Sequence, residues 1–71
     1  MNSDERFELL SHVDWSIRRI QQLHETTLLS LETAMAQEDR SGEGYLRGKE
    51  CGLDLALAHL EMLQKTIKAG V

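Results

Sequence analysis

Residues 42–60 read GEGYLRGKECGLDLALAHL and place Gly44, Gly48 and Gly52 four residues apart, with Ala56 one step further on. The rest of the segment favours a helix. Glycine in a helix interior costs about 1 kcal/mol relative to alanine, so three of them on one helix ask for a reason. Two readings answer: close packing of helix backbones, or close approach of a ligand. Either way the stretch is helical, and that decides the fold class.

The chain has no proline, and its other glycines are Gly42 and Gly70. Nothing from Ser3 to Asp39 breaks a helix. Leu10, Val13, Ile17, Ile20, His24, Leu28, Leu31 and Met35 recur at three- and four-residue steps, the period of one helix face. Ser3, followed by Asp4 and Glu5, reads as an N-cap with acids in the first turn. Ser11, with Asp14 three residues on, offers a second start, so the first helix has two readings: continuous, or split near residue 11. EDRSGEG at 38–44 is the turn, with Ser41 placed to cap the second helix. The expected layout is a single helical-hairpin domain over 1–71: a helix at about 4–39, a turn at about 40–43 and a helix at about 43–69, stopped by Gly70.

The second helix is apolar over an unusual width. Leu46, Leu53, Ala56, Leu57, Leu60, Leu63 and Ile67 share one face, while Cys51, Leu55, Ala58 and Met62 lie nearly opposite. Only a strip of Arg47, Glu50, Asp54, Glu61, Lys65 and Lys68 is charged. One partner helix cannot cover that arc, and 71 residues form a marginal core alone. The expected architecture is all-α: an antiparallel αα-hairpin assembling into a homo-oligomeric helical bundle.

Composition narrows the function class. Twelve acidic residues against eight basic ones give a net charge of −4, whereas duplex binding relies on phosphate neutralisation by lysine and arginine. Nucleic acid is therefore not the expected partner. A single cysteine, Cys51, fits a reducing compartment. The acidic start MNSDERFELL lacks the basic, then apolar character of a signal peptide, and no apolar run reaches the ~20 residues of a membrane span. A cytoplasmic, non-membrane protein is expected.

Candidate sites fall in two places. The start of the second helix carries unpaired N–H groups that favour anions. Gly44 and Gly48 allow close approach there, beside Arg40, Tyr45, Arg47 and Lys49. Arginine grips phosphate with two prongs, and tyrosine stacks or hydrogen-bonds. The segment lacks the GxxxxGK[ST] spacing of a P-loop. The competing reading pairs Arg47 and Lys49 with Glu43 and Glu50 on a solvated face. The second place is Trp15, off the apolar stripe and sharing its side with His12, Arg18, Arg19 and Gln22, a combination typical of interface anchors. A foreign protein and a second copy are both open as its partner.

His24 sits on the apolar stripe and reads as a register-setting core histidine, able to meet its own copy across an oligomer axis. His12, Cys51 and His59 form no zinc spacing and HExxH is absent, so no metal and no cofactor is expected. Ser11, His12 and Asp14 cannot converge on one helix. No catalytic residue is expected, and the chain is not read as an enzyme.

The segment EGYLRGKECGLDLALAHLEML, through Tyr45, Arg47–Gly48, Gly52–Leu53 and Ala56–Leu57, resembles the second helix of small phage-encoded helical-hairpin accessory proteins. The resemblance implies an accessory or anti-defence protein of the host-cell cytoplasm, acting by binding. Its foremost expected role is sequestration of an anionic nucleotide-like ligand within an oligomer. The alternative is an inhibitor or adaptor of a host protein, docking through the Trp15 face. The architecture also resembles Rop-like hairpin dimers, which implies RNA binding as a further alternative.

Overall fold

The computed structural model describes residues 2–70. Two antiparallel helices make up the hairpin, α1 (Ser3–Ala36) and α2 (Arg40–Lys68). Among the described residues no helix is long and apolar enough to cross a membrane.

Local chemistry sets the helix limits, and it differs from the expectation at three points. The N-cap of α1 is Asn2, not Ser3: its Oδ1 accepts the Glu5 N–H at 2.8 Å, and its Nδ2 donates to Glu5 Oε1 at 3.0 Å. An amide reaches both partners, which a serine hydroxyl one residue later does not. Of the two readings of the first helix the continuous one holds, because the Ser11 hydroxyl donates to the Phe7 carbonyl at 3.0 Å and so turns inward on its own helix instead of capping a new one. The connection is tighter and earlier than 40–43. Glu38 takes a left-handed φ of 55°, Asp39 N–H donates to Ala34 O at 2.9 Å, and Glu38 N–H donates to Met35 O at 3.2 Å. These two bonds close α1 in a Schellman motif.

Asp39 then serves a second time, as the N-cap of α2 in place of Ser41: its Oδ1 accepts the Gly42 N–H at 3.0 Å. A Cβ on residue 42 would run into that carboxylate, so Gly42 makes room for the cap. Gly70, with φ 79°, ends α2 as expected. Left-handed geometry at a residue with a side chain costs about 1–2 kcal/mol. Glu38→Gly is therefore expected to stabilise the hairpin by about 1 kcal/mol, and Asp39→Ala to destabilise it by about 1 kcal/mol. Urea midpoints moving in opposite directions at constant slope would check both.

The two helices meet along seams with a 3.5-residue period. On α1 the buried and half-buried line runs through Val13, Ile17, Ile20, His24, Thr27, Leu31 and Ala34. On α2 it runs through Leu46, Glu50, Leu53, Leu57, Leu60, Gln64 and Ile67. Steps of four and three in alternation are the signature of helices wrapped in a left-handed supercoil. The expected stripe stepped to Leu28 and Met35 instead, and both are exposed, as is Leu63. Supercoiling turns Thr27 and Ala34 inward in their place. Thr27 is buried at no loss of hydrogen bonding, since its hydroxyl donates to the Leu23 carbonyl at 2.7 Å.

The tightest core lies at the open end of the hairpin, where Val13, Ile17 and Ile67 pack with Leu9, Leu10, Leu57 and Leu60. Gln64 Nε2 donates to Asp14 Oδ1 at 2.6 Å across the helices and fixes their register there. The molecule measures 53 × 15 × 11 Å. It is one helix pair thick, so every face turned from the seam meets solvent.

Candidate functional site

The glycines lie on such a face. A Cβ at Gly44, Gly48 or Gly52 would meet nothing within 4 Å, so they do not serve the packing of α1 against α2. Gly44 and Gly48 instead continue a line of exposed residues on the side of α2 opposite the hairpin seam: Cys51, Leu55, Ala58 and Met62. The spacing of 44, 48, 51, 55, 58 and 62 again alternates four and three. Thus α2 carries two supercoil seams, one filled by α1 and one open. Leu55 and Met62 are 64% and 66% exposed on the open one.

The side chains expected to hold an anion gather only in part: Tyr45 and Lys49, four positions apart, are surface neighbours, and Arg47 stands away from both. Arg47 and Tyr45 are two positions apart, as are Arg47 and Lys49, which sets each pair about 160° apart around the helix. Arg47 is engaged by Glu43, with Nε and Nη2 donating to Oε1 at 3.0 and 2.9 Å. Tyr45 and Lys49 are exposed, and Arg40 is the first residue of α2. No pocket exists among the described residues.

The Trp15 group does gather. Trp15 is 68% exposed on the outer side of α1. His12, Arg18 and Arg19 stand three or four positions from it, so they are its surface neighbours, and Gln22 follows one turn on. All four are exposed, and neither arginine has an ion-pair partner among the described residues.

A third constellation was not anticipated from spacing. His24 faces α2 of its own chain: Nε2 lies 2.9 Å from Asp54 Oδ1. The separation is that of an ion pair, yet Nε2 is buried without a hydrogen-bond partner. Direction as well as distance defines a hydrogen bond, and this pair meets the distance alone. The pair is therefore a close contact and not a formed bond. Glu50, one turn before Asp54, completes the group: the three residues place one donor atom each within 4.8 Å of one another. Their i,i+4 carboxylates were legible in the sequence; the histidine opposite them, a helix and a turn away, was not.

No protein-family model, curated protein or solved structure matches this chain.

Proposed function

We propose that the chain is a non-catalytic binding protein that works as a dimer of hairpins joined through the open seam of α2, the two α2 helices lying side by side between the two α1 helices. The observation that carries this reading is the second 3.5-residue line itself, since a supercoil period on an exposed face has no use in a lone hairpin. Large and small residues are distributed along it with direction. Gly44 and Gly48 occupy one end, and Leu55 and Met62 the other. An antiparallel, two-fold pairing sets Met62 of each protomer over Gly48 of its partner, whereas a parallel one sets glycine against glycine and leaves a void. The glycines, costly in α2 alone, thus receive the partner's bulk.

Surface area agrees with one additional copy. The chain exposes 5440 Å² at 8.1 kDa, where a compact monomer of that mass exposes about 4,500 Å². The excess is close to one partner's share, about 800 Å², of a standard interface.

In this dimer the outer side of α1 stays free. The target we assign to it is a protein surface rich in carboxylates, met by Trp15 with Arg18 and Arg19, beside His12 and Gln22. A phage accessory role, with interference in host defence as its outcome, is the setting that the resemblance of residues 43–63 suggests. Nucleotide sequestration is the second reading; it rests on Arg40, Tyr45 and Lys49, and stabilisation by millimolar nucleotides in a melting assay would favour it.

Two measurements on one sample test the main reading. Light scattering is expected to give twice 8.1 kDa. The emission of Trp15, the only tryptophan, is expected to stay red-shifted and unchanged as the dimer is diluted apart. A blue shift on association would place the α1 face inside the interface and overturn the arrangement.

A further inference from the structure

We infer that His24, Glu50 and Asp54 form a binding site for a divalent transition-metal ion of the zinc class. All three donors belong to one chain, so the site stands independently of hairpin pairing. His24 and Glu50 each occupy a seam position on lines that are mostly apolar, and the other polar residues there, Thr27 and Gln64, are hydrogen-bonded to Leu23 O and Asp14. Polar groups in such a seam need partners. Nε2 of His24 has none, and Glu50 makes no hydrogen bond or ion pair among the described residues. The unmet donor and acceptor sites therefore face one another across the helix pair, with the Asp54 carboxylate beside them.

Distance and charge fit an ion. Zinc-class ions bind nitrogen and oxygen at about 2.0–2.2 Å, which spaces neighbouring donors about 3–3.5 Å apart. The donor atoms here lie within 4.8 Å of one another, the His24–Asp54 pair at 2.9 Å. Two carboxylates and a neutral imidazole balance a charge of +2. The nitrogen donor favours zinc, nickel, cobalt or iron(II) over magnesium and calcium, which prefer oxygen alone. Cys51, next to Glu50 in sequence, is exposed on the other face and is not among the donors. An ion held by one ligand from α1 and two from α2 ties the helices together and keeps positions open for water.

Zinc chloride titrated calorimetrically into chelator-stripped, dialysed protein, with thermal melts alongside, tests the assignment. The expected result is one ion per chain and a raised melting temperature, with no rise from magnesium or calcium at the same concentration. Glu50→Gln and Asp54→Asn are each expected to weaken zinc binding at least tenfold. His12→Gln and His59→Gln, which remove the two exposed imidazoles, are expected to leave it unchanged. Asp54 has 59% of its side chain exposed, so its variant keeps the fold even where the Glu50 variant does not. Undiminished binding by Asp54→Asn, or loss of binding in the His12 or His59 variants, overturns the site in favour of surface imidazoles. Absence of binding reduces the cluster to a close contact between His24 and Asp54 and overturns it equally. Repeating the titration above and below the dimer's dissociation range separates this outcome from the fate of the pairing proposal.

Discussion

Replacing Leu55 and Met62 together by glutamate is expected to convert the dimer into folded monomers. Full burial of a leucine or methionine side chain is worth about 1.5–3 kcal/mol. These two are about two-thirds exposed in the hairpin, so burial in a dimer gains about 1–2 kcal/mol for each. A two-fold interface counts each twice, giving about 4–8 kcal/mol for the four side chains. Loss of even the lower figure raises the dissociation constant about a thousandfold, and the introduced carboxylates must also be desolvated. The hairpin itself is indifferent to the change, because glutamate is a good helix former and neither residue touches the α1 seam. Light scattering should therefore report half the mass with an unchanged helical spectrum. A doubly substituted chain that keeps the parent mass at the same concentration would remove the open seam as the interface. A positional control sharpens the test. Gly52→Ala, beside the seam and in open space, is expected to add about 1 kcal/mol of stability. Gly48→Leu fills the place of the partner's Met62 and weakens association.

How far the molecule is legible in its residues depends on period and partner. The hairpin, its Gly70 stop and the apolar excess of α2 follow from local patterns, and all describe the chain well. The caps lie one or two residues from the expected serines, because Asn2 and Asp39 outcompete those neighbours only through bonds that a string of letters does not show. Leu28 and Met35 read as inward because steps of 3.6 and 3.5 residues diverge slowly, and four turns along a helix they select different residues. His24 is legible as a polar residue in an apolar line. Its carboxylate neighbours become visible only once the turn at 37–39 has set α2 in register, since Glu50 and Asp54 lie on a strip that the sequence assigns to solvent. The glycine question arises from the sequence, but half of its answer, that these residues leave open space within the hairpin, needs the fold.

The same divergence predicts three different costs for three leucines within four residues. Leu28, Leu29 and Leu31 are 37%, 65% and 7% exposed. Leu31→Ala removes a side chain packed in the seam, and such truncations cost about 2–5 kcal/mol. A chain of this length has about 4–10 kcal/mol in total, so this variant is expected to lose about a fifth or more of its stability and to melt well below the parent. Leu28→Ala, at the seam's edge, should cost about half as much or less, in keeping with the area it hides. Leu29→Ala, on the outer side of α1, should fall within about 0.5 kcal/mol of the parent, because leucine and alanine are both strong helix formers. Urea unfolding followed by circular dichroism gives the order, with protein concentration held fixed, since association adds to apparent stability. A stripe of 3.6-residue period would bring Leu28 level with Leu31. A large loss at Leu29 would mean that the outer side of α1 is covered in the assembled protein, and Trp15 with it. The ladder thus reads the supercoil and the free face in one experiment, and both must hold for the dimer to display that face.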